Sequence, residues 1–192
     1  MRQGVKHNLK ENKSYYLTMT VMHWIDLFSR KIQRDIYIDS LKYCIQNKGL
    51  NVYAYCIMSN HVHLIVNCNE PFILKDTIRD LKKYTSKAAI REIINGKESR
   101  RKWMLDIFKK EGEKDPKNKI YKVWQSGNHA IELFSEKFTW EKINYIHRNP
   151  VEAGLVKYPD QWLYSSASNY AAKEDLILKE VICIPQRLTT VR

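Results

Sequence analysis

The sequence lacks the features that mark secreted and membrane proteins. Its four cysteines (Cys44, Cys56, Cys68, Cys183) form no CxxC pair, so reduced and mostly buried thiols are expected rather than disulfides or a structural zinc site. No apolar run approaches the length of a membrane span, and the N-terminal residues have no apolar core like that of a signal peptide. The chain has no internal repeat and no low-complexity block. These absences predict a soluble, cytoplasmic protein.

Acidic residues are scarce relative to basic ones. The 192 residues include 33 Lys and Arg but only 21 Asp and Glu, which gives a formal net charge of +12. Such an excess indicates a polyanionic partner, first nucleic acid and second an anionic membrane surface, and with nucleic acid a nucleoid association. Between Lys75 and Lys122 the sequence has sixteen basic and eight acidic residues, which gives this stretch a net charge of +8. Charge runs are usually solvated faces, but here aromatics are interleaved, which is typical of a single-strand track. These aromatics are Tyr84, Trp103, Tyr121 and Trp124.

The hydrophobic content of 44% is sufficient for one globular domain, assigned to residues 14–172, with a flexible basic arm at 1–13 and a C-terminal tail at 173–192. Local patterns predict β-α-β-β-α-β-α, an α+β, ferredoxin-like or RRM-like antiparallel sheet with helices packed on one face. The predicted strands are 15–24, 51–58, 62–67, 120–125 and 181–184. The predicted helices are 35–46, 71–94, 101–110 and one that begins after Ser135 and stops at Asn149-Pro150.

Two histidines, His61 and His63, lie one residue apart in the stretch Tyr53 to Asn67 (YAYCIMSNHVHLIVN), which reads as two strands joined by a Ser-Asn turn. Side chains two apart on a strand point to the same face, so both imidazoles project together and Val62 points away. Rigidly held imidazoles supply two ligands of a divalent-metal site, and additional oxygen ligands would suit magnesium or manganese. The alternative is a solvated or hydrogen-bonded pair with no metal role.

Tyr145 and Asn149 are four residues apart in the last long predicted helix and therefore share a helix face. A tyrosine hydroxyl, with an ordinary pKa of about 10, attacks a phosphate only when a metal or general base assists. The carboxamide of Asn149 would complete the metal shell from the same helix face. Because the chain contains twelve tyrosines, spacing alone leaves open a purely structural Tyr145.

Five stretches of the sequence resemble the single-tyrosine HUH transposases, specifically the REP-associated tyrosine transposase branch of the insertion-sequence transposases. The pairing of MSNHVHLIV with YIHRNPVEAGLV is the most specific part of the resemblance. The matching stretches are YCIMSNHVHLIV (55–66), LKKYTSKAA (81–89), VWQSGNH (123–129), YIHRNPVEAGLV (145–156) and WLYSSASNY (162–170).

The resemblance implies a metal-dependent enzyme that cleaves and rejoins hairpin-bearing single-stranded DNA through a 5′-phosphotyrosine. By position, His61 and His63 match the metal pair and Tyr145 the nucleophile, whereas Asn149 stands where relatives carry a polar residue, often glutamine. The implied cofactor is Mg²⁺ or Mn²⁺. Cations expected to bind the DNA are Lys75, Arg79, Lys82, Lys83, Lys87, Arg91 and Arg148.

Two other functions remain open at this stage. One is a non-catalytic nucleic-acid-binding regulator on the same fold, and the other is a metal-dependent phosphodiesterase that uses activated water. A homodimer, with the tyrosine acting in its own chain or in its partner's site, is a further expectation that the resemblance leaves open.

Overall fold

The structure, a computed structural model, describes residue 9 and residues 13–115 and 120–186. Four strands form one antiparallel sheet in the order β2-β3-β1-β4. The strands are β1 (Tyr15–Thr20), β2 (Leu50–Ile57), β3 (His61–Cys68) and β4 (Ile131–Glu132). The helices are α1 (Lys31–Asn47), α2 (Leu74–Asn95), α3 (Arg101–Glu113), α4 (Glu136–Glu152) and α5 (Ala167–Tyr170). The α+β, ferredoxin-like class predicted from the sequence is confirmed.

The β2–β3 hairpin is confirmed, with β2 at one edge of the sheet and β3 in its interior. Val62, Leu64 and Val66 on β3 alternate with His61, His63 and Ile65, so the strand presents one wholly apolar face and one that carries the histidines. A register shift between Val52 and Ala54 marks a bulge in β2. This alternation decides which helices each face can accept.

Helices cover both faces of the sheet, whereas the sequence predicted helices on one face. The larger core contains side chains of α1, α2 and α3 against the apolar face, with Leu41, Ile78 and Phe108 buried there. Helix α4 lies on the opposite face, where Ile143 and Ile146 pack with residues of β1, β2 and β3. The helix that carries Tyr145 is therefore on the face that carries the histidines.

Several predicted bounds are wrong: β1 ends at Thr20 rather than at residue 24, α1 begins at Lys31 rather than at residue 35, and α3 continues to Glu113 rather than ending at residue 110. Two predicted strands and the predicted end of α4 are wrong as well. Residues 120–125 form no strand, because their only bridge, Val21 with Trp124, lies where β1 has already ended; the fourth strand is β4 instead. Residues 181–184 form no ladder, although Ile182 N–H donates to Val52 O (2.9 Å). Helix α4 continues through Pro150 to Glu152, since a proline near the last turn loses a single amide donor and keeps a helical φ.

The residues after α4, numbers 153–186 (the C-terminal segment), pack back onto the sheet and the larger core. This segment covers β2, the edge strand, through Ser166 N–H to Tyr55 O and Ile57 N–H to Tyr164 O (both 2.9 Å). Further along, Leu178 is fully buried in the larger core.

The arm predicted at 1–13 lies mostly outside the described residues, and Leu9 within it packs against the core. Within the described ranges, no helix combines the length and apolar character needed to cross a bilayer.

His147 fastens α4 to this C-terminal segment. Its Nε2 lies 2.8 Å from Ser166 Oγ, and its ring meets Tyr170 edge-on at 5.1 Å between centroids. Ser166 Oγ also accepts a hydrogen bond from Tyr55 N–H (2.9 Å), so one hydroxyl links α4, the edge strand β2 and the C-terminal segment. Burial lowers the pKa of His147 to about 4.

Lys82, predicted to bind nucleic acid, has a structural role instead. Its partly buried ammonium donates hydrogen bonds to Gln125 O (3.1 Å), Gly127 O (2.9 Å) and Asn128 Oδ1 (2.7 Å). Burial, assisted by the charge of Lys122, lowers its pKa to about 8. The side chain holds the loop before β4 against α2 and is not free to contact a phosphate.

Replacing Lys82 with methionine should reduce stability, because the three loop acceptors lose a charged donor. The expected decrease in the free energy of unfolding is about 1–3 kcal/mol in urea denaturation. Lys83→Met, at the adjacent exposed position, is the matched control and should change stability by less than about 0.5 kcal/mol. Equal stability of the two variants would contradict the assignment.

Stability should fall as pH decreases from about 6.5 toward 5. The folded protein keeps His147 unprotonated down to a pKa of about 4, below the ordinary 6.5, so the unfolded chain binds more protons in this interval. Each such histidine contributes a slope of up to about 1.4 kcal/mol per pH unit. Denaturation of wild type and His147→Gln at several pH values measures this contribution. An unchanged slope in the variant would show that His147 is not the source.

Candidate active site

The site is built on the face of the sheet formed by alternate residues of β1 and β3. Thr18 pairs with His63 and Thr20 with His61, so the register brings side chains of both strands to one surface. The two imidazole rings lie edge to face, 4.7 Å apart between centroids. The expectation that both histidines share a face is confirmed.

Helix α4 presents a stripe of side chains to this surface at the spacing of successive turns: Phe138, Lys142, Tyr145 and Asn149. The ring of Tyr145 lies 5.6 Å from the ring of His63 between centroids, in the same chain. Its side chain is not enclosed, since Tyr145 is 45% exposed. The structure therefore brings Tyr145, the predicted nucleophile, beside the two histidines predicted to bind a metal. It also leaves Tyr145 accessible to a ligand.

Polar residues of β1 fix the orientation of His63. Its Nδ1 lies 2.9 Å from Tyr16 Oη and 3.1 Å from Thr18 Oγ1, and the ring stacks on Tyr16. Its Nε2 is buried and has no hydrogen-bond partner among the described residues. A proton on Nδ1, donated to Tyr16 Oη, leaves a lone pair on Nε2, which is the form a histidine takes as a metal ligand.

His61 is oriented in the same way by the hairpin turn. Its Nδ1 lies 2.7 Å from Asn60 Oδ1. An amide oxygen only accepts hydrogen bonds, so Nδ1 carries the proton and Nε2 carries the lone pair. Both imidazoles thus have Nδ1 occupied by a protein oxygen and Nε2 left as the donor atom for a metal.

The electrostatics keep both imidazoles neutral. Burial, followed by the charge of His61, lowers the pKa of His63 to about 3, while the side chain of Asn149 acts in the opposite direction. Burial also lowers the pKa of His61. Burial raises the pKa of Tyr16 to about 12, so its hydroxyl stays protonated. A neutral imidazole is the form that binds a metal, so the pair is ready for one at neutral pH.

Asn149 is the protein group best placed to add an oxygen ligand. Its Nδ2 donates to Tyr145 O (2.7 Å), which leaves Oδ1 as the free end of the amide. The side chain of Asn149 interacts with His63 and raises its pKa, so the amide lies beside this imidazole. In the described part of the chain, no three His, Cys, Asp or Glu side chains cluster as a metal site. The donor set is thus two imidazoles and an amide oxygen, which fits a divalent cation that keeps open positions.

Lys142 adds a positive charge beside the phenol. Its Nζ lies 5.2 Å from the ring centre of Tyr16, 5.3 Å from that of Phe138 and 5.7 Å from that of Tyr145. The residue stands three positions before Tyr145, so it projects from the preceding turn of α4. The position suits an ammonium that meets the charge of a phosphate.

The structure separates most of the predicted DNA-binding cations from this site. Helix α2 packs against the sheet face opposite the histidines, with Lys75, Lys83, Lys87 and Arg91 exposed and Arg79 paired with Asp76 and Asp80. Arg148, by contrast, is exposed on α4 one turn beyond Tyr145, with Glu152 at 3.7 Å. Apart from Lys82, these residues remain predictions as DNA contacts.

Sequence reasoning missed several residues of the site, namely Tyr16, Thr18, Asn60 and Lys142. Tyr16 and Thr18 alternate correctly within the predicted first strand, but only the β1–β3 register shows that they meet His63. Spacing alone would have found Lys142, three residues before Tyr145. Trp124, counted among the stacking aromatics, is buried, and its indole donates to Thr85 Oγ1 (3.1 Å).

Comparison with known proteins identifies the family and the fold. The model of the family described as "Transposase IS200 like" matches residues 10–120, a range that contains His61 and His63 but not Tyr145. No curated protein matches the chain.

Among solved structures, a REP-associated tyrosine transposase bound to a REP hairpin has a TM-score of 0.64 at 16% identity, covering 98% of this chain and 94% of that one. A protein of Deinococcus radiodurans R1, described as a candidate transposase, has a TM-score of 0.42 at 17% identity, covering 77% of this chain and 97% of the other. The first shows a shared fold. The family model matches residues 10–120, which is more than half of this chain, and the chain therefore belongs to the IS200-like transposase family.

Proposed function

We propose that this protein cleaves and rejoins single-stranded DNA near hairpins through a covalent 5′-phosphotyrosine on Tyr145, with a divalent metal ion held by His61, His63 and Asn149. The observation that carries the proposal is the approach of the Tyr145 ring to His63 (5.6 Å) beside His61 in one chain. A protein that only bound nucleic acid would have no use for this combination. The second chain of a homodimer is not needed to complete it.

The reaction is a transfer between two esters of one phosphate. The phenolic oxygen of Tyr145 loses its proton and attacks phosphorus, the bond from phosphorus to the 3′-oxygen breaks, and this oxygen leaves as a hydroxyl after gaining a proton. One ester bond forms for each that breaks, so no nucleotide cofactor is needed. Attack by a DNA 3′-hydroxyl on the phosphotyrosine reverses the step and joins strands.

The residues of the site divide the remaining work. Tyr16, Thr18 and Asn60 hold the imidazoles in orientation, and the rigid helix α4 holds the phenol beside them. Lys142 offsets the negative charge that the phosphate brings to the phenol. A bound Mg²⁺ or Mn²⁺ would polarise the scissile phosphate as a Lewis acid.

A DNA hairpin is the proposed substrate feature. The structural neighbour with a TM-score of 0.64 is bound to a REP hairpin, and a shared fold supports the same class of ligand here. The net charge of +12 supports a nucleic-acid partner, and affinity should decrease steeply with salt. The exposed cations of α2 would contact backbone that extends beyond the active-site face.

Tyr145→Phe should abolish formation of a protein–DNA adduct that survives boiling, because phenylalanine has no oxygen to form the ester. The assay incubates protein with hairpin-bearing single-stranded DNA and Mn²⁺ or Mg²⁺, and EDTA should prevent the adduct in wild type. Tyr158→Phe, which alters another exposed tyrosine (53% exposed), is the matched control and should keep the adduct.

Two outcomes would contradict this mechanism. Cleavage that persists in Tyr145→Phe would indicate hydrolysis by activated water, and tight hairpin binding by wild type without any cleavage would indicate a regulator.

Lys142→Met should slow cleavage about 10- to 100-fold while leaving hairpin affinity nearly unchanged, because the ammonium acts on charge at the phenol. Single-turnover cleavage rates measure the effect. Lys137→Met, at an exposed position earlier on α4, is the control and should match wild type. An equal decrease in both variants would point to general attraction of DNA rather than a local role.

A further inference from the structure

The turn that follows β1 holds an aromatic residue in a strained conformation. Residues Met22–Trp24 form one turn of 3-10 helix in which His23 (φ 51°) and Trp24 (φ 57°) both adopt left-handed backbone angles. This region is unfavourable for residues with a side chain, and more so for a bulky one. Two consecutive outliers persist only where the surrounding structure fixes them, and such positions cluster at functional sites.

Contacts from three directions fix this turn. Val21 N–H donates to Asn60 O (2.9 Å) in the hairpin turn, and Met22 N–H donates to Val123 O (2.8 Å). The His23 ring reaches α3, where its Nε2 lies 3.1 Å from Glu111 Oε1. The turn is thus hydrogen-bonded to Asn60, the residue whose side chain orients His61.

The strain does not bury the tryptophan. Trp24 is 61% exposed, although an indole is among the side chains that gain most from burial. Its ring lies 6.2 Å from the ring of His61 at an interplanar angle of 74°, so the two rings are not stacked. A large flat apolar surface is therefore held in solvent next to His61, at the border of the site formed by His61 and His63.

We propose that Trp24 is the stacking platform for one base of the single strand, next to the phosphate held at His61 and His63. This inference rests on the proposed function and adds a binding subsite to it. Every nucleobase has a flat π-face that can stack on an indole. A strand whose phosphate lies at the two histidines must also place a neighbouring base within reach of Trp24. The positive charge of the chain favours this occupant over a basic or apolar protein surface.

A comparison of two strands tests the platform without any cleavage. The probes are a fluorescent 20-nucleotide oligothymidine and an abasic strand with the same number of phosphates, titrated with Tyr145→Phe protein by fluorescence polarisation. Adding Trp24→Ala should weaken oligothymidine binding about 5- to 100-fold and leave abasic binding unchanged, since only the first strand has a base to stack. Adding Trp24→Phe should retain most of the affinity.

Tyr43→Ala on α1, which removes another exposed aromatic side chain (57% exposed), is the matched control and should leave both affinities unchanged. Equal losses on both strands, no loss on either, or a loss shared by Tyr43→Ala would overturn the inference. So would oligothymidine that binds no better than the abasic strand. Failure of the proposed function is distinguishable, because it appears as an absent covalent adduct in the wild-type protein.

Discussion

The candidate active site depends on the hydrogen bonds that occupy Nδ1 of both histidines. Tyr16 Oη at 2.9 Å and Asn60 Oδ1 at 2.7 Å determine ring orientation, so that each Nε2 is left as a donor atom. The Tyr16 contact exists only in the observed β1–β3 register, whereas the Asn60 contact is local to the hairpin turn. A shift of one residue would turn the histidines into the apolar core and Val62 into the site, which the burial pattern of β3 forbids.

The second constraint is the placement of α4. Ile143 and Ile146 pack onto the sheet, and His147 ties the same helix to the C-terminal segment through Ser166. With the apolar side fixed, the neighbouring stripe that carries Tyr145 and Asn149 can face only the histidines. The proposed nucleophile is therefore positioned by a rigid helix packed on the sheet that carries His61 and His63, rather than by a loop.

Much of this arrangement follows from local sequence. Alternation in β3 predicted the shared face of His61 and His63, and four-residue spacing predicted the shared face of Tyr145 and Asn149. Long-range pairing could not be read in this way: residues 120–125 have strand composition, but their bridge joins Trp124 to Val21, one residue past the end of β1, and extends into no ladder. Tyr16 joins the site through the same kind of pairing, and Lys82 left its predicted role because a distant loop supplied three acceptors.

The central claim is that the two Nε2 atoms and the amide oxygen of Asn149 converge on one divalent cation within reach of the Tyr145 hydroxyl. Anomalous diffraction from crystals grown with Mn²⁺ tests it most directly. The account predicts one manganese peak at ligand distance from Nε2 of both His61 and His63, with Nδ1 still bonded to Asn60 and Tyr16. Manganese elsewhere, or bound through either Nδ1, would contradict it.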